Sequence, residues 1–441
     1  MRSRVHWKQA VLAILAGVCL VVLAGCGSPG EEAAPEPEAQ ATKIDPASFR
    51  GKTLTYVYFT DGPDEQATRK LIARFEQETG AKVKLQIVAF DDLETSLQTR
   101  LSGGNVPDVA RLDTIFPYRD DLIDLSQYFG AGLKDQFLPG PLNGAIGDDG
   151  QLLAVPSDLT MNGPFVNVAQ FEKAGVPLPT AKEPWTVDEM VQAAEKVQQA
   201  NGTDFALAMD KSGHRVSTIL SQYGTTLISA DGEEALDPAK GGKALDLVTG
   251  LLRSDKLSRD FWLESGSRYA GANEIFLAGA APIYLSGNWQ VSQFAENAGF
   301  DWAVVPNPCA ERCGGFPGGK FMGAFRESEN PELGAYFVEW MNRTESQRSF
   351  VKDSLFLPTR KDLAESGIEY ASRNDDMAVF QKDVEETPAD SFASVYSPAF
   401  SGSADALVAE IDKVVAGRED VAAAVEQIKQ ETSELVEDTS R

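Results

Sequence analysis

The stretch "KTLTYVYFTDGPDEQATRKLIARFEQETG" (residues 52–80) contains the signals of a strand, a turn and a helix in that order. Its first eight residues are compatible with a strand, and the following "TDGPDE" is typical of a turn. Gly80 stands where a helix commonly ends. Four apolar residues before it recur at helical spacing and share one face: Ala67, Leu71, Ile72 and Phe75.

The same alternation continues along the chain. Residues 81–88, "AKVKLQIV", alternate as a second strand, 91–104, "DDLETSLQTRLSGG", indicate a second helix, and 107–113, "PDVARLD", a third strand. A chain that alternates strands and helices is typical of an α/β layer with a mostly parallel sheet. We therefore expect an α/β fold.

Two segments carry the pattern that marks the start of a helix. Asp91 is followed three residues later by Glu94, and Thr186 by Glu189. In such a capping box the first side chain accepts a hydrogen bond from the backbone of the first turn, and the acidic side chain reaches back. The pattern predicts that Asp91 and Thr186 cap the helices that follow them.

Polar residues follow two of the predicted strands. Thr60 and Asp61 come after the first strand, and Asp113 comes after the third. Because ligands of open α/β sheets bind at the carboxyl ends of the strands, we expect these three residues to face a ligand. Two alternatives stay open: Asp61 can cap the next helix, and Asp113 can serve a turn or the surface.

Size and charge narrow the class of protein. The 441 residues are enough for two domains, and the formal net charge is −26. Binding to phosphate groups needs a concentrated basic surface, so this charge argues against a nucleic acid partner. It leaves open which neutral ligand binds.

The N-terminus indicates export. Basic residues precede an apolar run at 11–25, which is shorter than the ~20 residues of a membrane-spanning helix. The run ends in Leu-Ala-Gly-Cys at 23–26, which resembles the bacterial lipobox. The resemblance implies a signal peptide at 1–25, acylation of Cys26 and anchoring to the cell membrane, the alternatives being a simple anchor or a secreted soluble form. Residues 26–43, rich in Pro, Glu and Ala, predict a disordered tether.

Cysteine and histidine use agrees with an exported chain. After removal of 1–25 and acylation of Cys26, Cys309 and Cys313 are the remaining cysteines, and we expect them to form a disulfide. A single C-x3-C without a second pair is weak support for zinc. His214 is then the one remaining histidine, so no metal site and no cofactor are expected.

The stretch "FLAGAAPIYLSGNWQ" (276–290) ends a predicted strand with a glycine, an amide and a tryptophan. A core strand does not need that ending, whereas a binding pocket does. Gly287 would let the backbone approach a ligand, Asn288 can donate and accept hydrogen bonds, and Trp289 can stack on an apolar face. The alternative is that Trp289 is a packing residue.

Taken together, the ordered segments of the chain resemble a bacterial extracellular solute-binding protein of the carbohydrate-uptake ABC-transporter class. The resemblance covers essentially the whole chain after the signal and implies two α/β lobes of the periplasmic-binding type, joined by crossing segments, with a sugar or oligosaccharide bound between them. It also implies an ABC permease as partner, a monomer and no enzymatic activity. The segments that carry it are "LSGGNVPDVARLD" (101–113), "AVPSDL" (154–159), "FVNVAQFEKAGVPLPTAKEPWTVDEM" (165–190), "NEIFLAGAAPIYLSGNW" (273–289), "FPGGKFMGAF" (316–325) and "AYFVEWMNRTESQRSFVKDSLFLPTRKDL" (335–363).

The resemblance also implies the limits of the lobes. Lobe one would comprise residues 44–157 and 307–356, and lobe two residues 158–306 and 357–436, with crossings near 155–158, 304–307 and 356–360. Two positions depart from the usual pattern of the family. Val166 stands where an aromatic residue is common, and Ala281-Pro282 replaces the usual alanine-methionine pair.

Further ligand contacts are expected from these segments. Asp158 is a natural acceptor for hydroxyl groups unless it serves a turn or the surface, and Arg360 reaches the cleft from the third crossing unless it forms a structural ion pair. The loop at 314–321 can offer backbone N–H groups and an aromatic wall, or can be a flexible loop next to the disulfide. The complete set of predicted ligand-binding residues is Thr60, Asp61, Asp113, Asp158, Asn288, Trp289, Phe316, Gly318, Gly319, Phe321 and Arg360.

Three other functions compete with sugar binding. Residues 314–320 fit G-x4-G-K, but Phe321 stands where a phosphate-binding loop needs Ser or Thr, so nucleotide binding is rejected. A glycoside hydrolase needs two carboxyl groups at a suitable separation, which an acidic chain can supply. A purely structural lipoprotein would not need the Gly-Asn-Trp ending. The tether and the order of segments favour capture of a sugar over its hydrolysis.

Overall fold

The described residues of the chain, 44–60 and 64–439 of a computed structural model, contain eight strands. The predicted signal peptide, Cys26, the predicted tether and Asp61 lie outside the described residues. None of the described helices is long and apolar enough to cross a membrane. The strands are β1 (Thr53–Tyr58), β2 (Lys82–Ile87), β3 (Val109–Leu112), β4 (Val155–Asn167), β5 (Leu207–Met209), β6 (Ile283–Gly287), β7 (Trp302–Val304) and β8 (Pro317–Ala324).

The strands pair in the order β2-β1-β3-β8-β4-β6-β5, with β7 also paired to β4. The pairs β1–β2, β1–β3 and β5–β6 are parallel, as the alternating sequence predicts. The four pairs that involve β8 or β4 are antiparallel. The expectation of a mostly parallel sheet is therefore wrong at the centre, where β4 runs from its pairing with β8 to its pairing with β6 and is antiparallel to both.

Helices cover both halves of the sheet. In chain order they are α1 (Asp64–Thr79), α2 (Leu93–Ser102), α3 (Ser126–Phe129), α4 (Pro139–Asn143), α5 (Val168–Ala174), α6 (Val187–Asn201), α7 (Gly213–Gln222), α8 (Pro238–Arg253), α9 (Arg259–Trp262), α10 (Ala272–Leu277), α11 (Gln290–Asn297), α12 (Pro331–Met341), α13 (Thr344–Ser354), α14 (Lys361–Ser366), α15 (Asn374–Glu386), α16 (Ala389–Val395), α17 (Phe400–Val415) and α18 (Val421–Thr439).

The structure confirms two of the three helix boundaries that the sequence predicts from capping residues and glycine. The capping box at Thr186 and Glu189 is present in both directions, and Gly80 ends α1 with a φ of 73°. The capping role predicted for Asp91 is wrong. The chain enters α2 through a 3-10 turn at Phe90–Asp92, so Asp92 occupies the N-cap position, in a helical conformation and without a side-chain cap.

Buried apolar residues form separate clusters on the two sides of the crossing strands. One cluster runs from Phe49 to Val155 and includes residues 321–356 and Tyr396. Two further clusters, which draw mainly on residues 159–305 and on the C-terminal helices, fill the other side. We propose that these cores mark the two lobes with the boundaries given above, although Tyr396 packs in the first cluster and Phe316 in one of the two further clusters.

A buried arginine joins the strands of the first core. The Arg111 side chain is 1% exposed, and its Nη2 lies 3.2 and 3.3 Å from the Asp158 carboxylate oxygens. Its Nη1 lies 3.2 Å from Asp64 Oδ2 and donates to the Phe59 carbonyl at 3.0 Å. The ion cluster thus connects the end of β1, the start of α1, β3 and the crossing strand β4.

Replacement of Arg111 by methionine is expected to lower the free energy of unfolding by about 3–5 kcal/mol, because it leaves Asp64 and Asp158 buried without their counter-ion. Urea denaturation at pH 7 measures the change. Arg69→Met is the control, since Arg69 forms an exposed pair with Glu65 and should cost little. Equal urea midpoints for the two variants would contradict the structural role of Arg111.

A second buried carboxyl group lies beside the crossing segments. Asp383 Oδ2 accepts a hydrogen bond of 2.8 Å from Asn307 Nδ2, which also donates to the Asn162 carbonyl at 2.8 Å. Burial raises the pKa of Asp383 to about 7, against the lowering effect of Asn307. The folded chain therefore keeps a proton that the unfolded chain loses near pH 4, and stability falls as the pH rises from about 4 to 7.

Asp383→Asn keeps an acceptor oxygen for Asn307 and removes this titration. The variant is expected to be more stable than the parent protein at pH 8, on the order of 1–3 kcal/mol, with the difference shrinking towards pH 4. Unfolding curves at several pH values test this. Asp375→Asn, on the exposed side of the same helix, should follow the parent profile. A difference for Asp383→Asn that does not depend on pH would be inconsistent with burial of a protonated carboxyl group.

Candidate functional site: a cleft between the two halves

The main candidate for a binding site is an open cleft above the junction of β4 and β8. Its floor is formed by the crossing strands, and one wall comes from each half of the chain. The residues that line it are Phe90, Glu94, Asp113, Thr114, Phe116, Pro117, Thr160, Asn162, Ser212, His214, Arg215, Trp289, Pro317, Gly318, Gly319, Lys320, Val395, Tyr396, Ser397, Pro398, Phe400 and Ser401.

Trp289 lies in this cleft, where it follows the end of β6. Its indole is partly exposed and also packs against the core of the first half, so one side chain contacts both sides of the cleft. A β-carbon on Gly287 would lie 2.0 Å from Cζ3 of this indole. The glycine is therefore needed at this position because the ring folds back over it, and not because a ligand approaches the backbone as the sequence suggested.

Arg215 holds the face of the tryptophan. Its guanidinium carbon lies 4.3 Å from the centre of the Trp289 ring, close enough for a cation–π interaction. Its Nε donates to Asp210 Oδ2 at 3.1 Å and its Nη1 to Asn162 Oδ1 at 2.6 Å. Asp210 also accepts from Tyr284 and Ser286 on β6. The Arg215 guanidinium, and with it the Trp289 indole (the Trp289 plate), is thus held in place by residues of β4 and β6 and by the loop after β5.

Asn288 does not line the cleft. Its Oδ1 accepts from the Met161 N–H at 2.9 Å, its Nδ2 donates to the Leu355 carbonyl at 3.0 Å, and its own N–H donates to the Met161 carbonyl at 3.2 Å. The side chain is fully buried. The structure places Asn288 as a connection between β6, the crossing strand β4 and the segment that leads into the third crossing.

Of the polar residues predicted to contact the ligand at strand ends and at the first crossing, only some line the cleft. Asp113 lines the cleft. Asp158 is buried against Arg111, and Thr60 Oγ1 donates to Asp64 Oδ1 at 2.8 Å, so neither lines the cleft. The sequence showed a carboxylate beside a crossing but not the arginine that neutralises it. Asp61 lies outside the described residues.

The remaining predicted residues divide in the same way. Gly318 and Gly319 form part of the cleft floor. Phe316 is buried against Phe400, with ring centres 5.5 Å apart, and Phe321 is buried against Tyr396 at 5.6 Å. In both pairs the predicted phenylalanine packs behind the residue that lines the cleft.

Arg360 also lies away from the cleft lining. Its Nε pairs with Asp362 at 2.9 Å, and its Nη1 donates to Gln136 at 2.9 Å and to the Asn342 carbonyl at 3.1 Å. Arg360 therefore forms a structural ion pair with Asp362, which is the alternative that the sequence left open. The third crossing instead contacts the floor through Leu357, whose backbone pairs with that of Leu159.

Charged groups in the cleft are balanced. Glu94 and Asp113 come from the first half, while Arg215 comes from the second half and Lys320 from β8. Burial, together with the nearby cations Arg215 and Lys320, lowers the pKa of His214 to about 3, so this imidazole is neutral at physiological pH. The cleft therefore offers hydrogen-bond donors and acceptors without a strong excess of either charge.

Sequence reasoning missed several of these residues although a signal for them existed. Phe90 follows β2, and His214 and Arg215 follow β5, so all three lie after the carboxyl ends of strands in the parallel pairs. The expectation that ligands bind at the carboxyl ends of strands, applied to β2 and β5 as well as to β1 and β3, predicts all three residues. The contribution of residues 395–401 has no such local signal, because α16 reaches the cleft only through tertiary packing.

Cys309 and Cys313 are joined by a disulfide in the structure. The loop that they close docks on the second half of the chain: Cys309 pairs with Thr186, and Arg312 with Asp390 at 2.6 Å. Within 44–60 and 64–439 no group of three or more His, Cys, Asp or Glu side chains is arranged to hold a metal ion.

A cleft between two α/β halves, crossed by shared strands and lined by an aromatic plate and balanced polar groups, is an architecture for enclosing a solute. The chain belongs to the bacterial extracellular solute-binding protein family, whose model matches residues 70–388. Membership in this family places the chain among extracytoplasmic binding proteins and gives no support to the hydrolase alternative.

Individual relatives agree with this assignment. The multiple sugar-binding protein of Streptococcus mutans is 27% identical over 232 residues, which span 51% of this chain and about half, 49%, of that relative. The diacetylchitobiose-binding protein DasA of Streptomyces coelicolor is 23% identical, covering 81% of this chain and 83% of that protein. The ABC substrate-binding protein Lmo0181 of Listeria monocytogenes, solved with cycloalternan, superposes with a TM-score of 0.74 at 21% identity, covering 87% of this chain and 98% of that chain. This superposition shows that the fold is the two-lobed periplasmic-binding fold.

Gly287→Ala tests the arrangement of the plate. The new methyl group would overlap the Trp289 ring, so the indole must move, and we expect a changed tryptophan emission and a loss of stability of about 1–3 kcal/mol. Gly299→Ala is the control, because a β-carbon there meets nothing within 4 Å. If Gly287→Ala leaves both the emission and the melting temperature at the parent values, the indole does not lie on Gly287.

Proposed function

We propose that the protein captures a saccharide outside the cytoplasm and delivers it to the permease of an ABC importer. The observation that carries this proposal is the Trp289 plate, backed by Arg215, at the centre of a cleft whose two walls belong to different halves of the chain. Relatives named for binding sugars support the class of ligand.

The lining suits a hydroxylated and uncharged guest. A sugar presents an apolar face of C–H groups, which an aromatic ring covers favourably. Its hydroxyl groups both donate and accept, and the cleft offers carboxylates at Glu94 and Asp113 and cations at Arg215 and Lys320. Because these charges balance, a neutral ligand is favoured over a strongly anionic one.

Capture is coupled to closure of the two halves. A ligand that contacts both walls stabilises the conformation in which the walls are close, and it can shift the equilibrium only by that difference in binding. The crossing segments that would act as the hinge, near 155–158, 304–307 and 356–360, all lie against β4 or belong to it. The permease would then recognise the closed form through surfaces of both lobes.

The N-terminus fits delivery at a membrane. We propose that Cys26 is acylated after removal of residues 1–25, that the protein is anchored as a monomer, and that residues 26–43 form a tether. As a flexible coil such a tether has a reach of roughly 20–25 Å. This reach would keep the cleft close to the permease while the body remains free to rotate.

A thermal-shift panel tests the function. Glucose, maltose, maltotriose, N-acetylglucosamine and diacetylchitobiose are added separately, and at least one is expected to raise the melting temperature in a concentration-dependent manner. Trp289→Ala should remove that rise because the apolar face of the sugar loses its plate.

The control for the panel is Trp185→Ala, whose indole stacks on Phe171 away from the cleft and should leave the ligand-induced rise unchanged. Chromatography of the recovered sugar completes the test. A normal response in Trp289→Ala would refute the assignment of the plate, and a cleaved sugar would refute a binding function.

A further inference from the structure

One large aromatic residue in the cleft is strongly exposed. Phe90 lies in the turn after β2, is 49% exposed and lines the cleft from the first half of the chain. Trp289 reaches the cleft from the second half. Two of the aromatic side chains in the cleft therefore come from opposite halves, and Phe90 has much of its surface available for a further partner.

Phe90 is held in place by its neighbours. Its ring centre lies 5.0 Å from that of the buried Phe59, and the Lys320 ammonium lies 5.4 Å from the centres of both rings. A cation in this position restrains the ring through the cation–π interaction and still carries N–H donors. Phe90 and Lys320 together thus present an apolar face next to a hydrogen-bond donor, the same combination as Trp289 and Arg215.

The strand register separates the two pairs along the floor. Lys320 on β8 pairs with Asp158 on β4. Gly287, against whose backbone the Trp289 ring lies, pairs with Asn162 on the same strand. Asp158 and Asn162 are four residues apart on β4, which corresponds to about 13 Å at the rise of a strand. This distance is longer than a single hexose ring.

Strand β8 contributes no side chain to the floor between the two pairs. Gly318 and Gly319 occupy β8 opposite Thr160 and Leu159 on β4, and both glycines line the cleft. A β-carbon at Gly319 would lie 2.7 Å from the carbonyl oxygen of Asp158, so the close approach of the two strands requires a glycine here. An extended ligand can therefore lie along this floor without meeting a side chain of β8 between the two pairs.

We propose that Phe90 and Lys320 form a second sugar subsite, displaced along β4 from the Trp289 subsite, and that the ligand is a saccharide of at least two rings. One ring packs on Trp289 and a further ring packs on Phe90, with a hydroxyl group accepting from Lys320. This inference rests on the proposed function and adds to it the minimum length of the ligand.

Calorimetric titration with saccharides of matched chemistry tests the second subsite. Glucose is compared with maltose and maltotriose, and N-acetylglucosamine with diacetylchitobiose. The parent protein should bind the longer member of the binding series at least tenfold more tightly than its monosaccharide. Phe90→Ala should weaken the longer member by about tenfold and leave the monosaccharide within twofold, since stacking is lost at one ring only.

Two further variants separate stacking from general damage. Lys320→Met keeps the stem of the side chain and removes the ammonium, so it should also weaken only the longer saccharides. Ile87→Ala is the matched control, because Ile87 is 40% exposed, lies three residues before Phe90 and does not line the cleft. It should bind every saccharide as the parent protein does.

The outcomes are distinct. A preference for length that survives Phe90→Ala, or an equal loss for the monosaccharide and the longer saccharide, overturns the second subsite and leaves the proposed function standing. A panel in which no saccharide binds to the parent protein overturns the proposed function and the second subsite with it.

Discussion

The whole arrangement depends on one strand that belongs to both halves of the molecule. β4 is paired with β8 from Val155 to Met161 and with β6 from Asn162 to Val166, so its partner changes between Met161 and Asn162. Backbone hydrogen bonds on both sides fix the register there, and a shift by one residue would turn every side chain to the opposite face. Asn162 can contact Arg215 in the cleft only because that register is fixed.

Polar groups near the crossings are satisfied at some expense in stability. Arg111 between two carboxylates and Asp383 beside Asn307 are buried, and apolar residues of similar volume would often be at least as stable. Such groups do bring directionality, because a charge-assisted hydrogen bond restricts geometry in a way that a methyl contact does not. Their position beside β4 connects this restriction to the segments about which the two halves would have to move.

Local sequence patterns were sufficient for the elements but not for the partners. The order β1-α1-β2-α2-β3, the capping box at Thr186 and the order of the family segments could all be inferred, because each depends on residues close in sequence. Asp158 and Arg360 look like ligand contacts until the residues that neutralise them are known. Asp158 pairs with Arg111, which is 47 residues away, and no periodicity predicts that contact.

The stretch Gly287-Asn288-Trp289 shows how three adjacent residues divide the work of such a site. Trp289 covers the backbone of Gly287, Asn288 bonds to Met161 and Leu355, and the indole lies in the cleft under Arg215. The residue next to the Trp289 indole is therefore bonded both to the crossing strand β4 and to the segment that leads into the third crossing. Under the proposed function, a ligand that stacks on Trp289 would act on a residue whose neighbour is bonded to the strand shared by both halves, and these bonds would couple occupancy of the cleft to its closure.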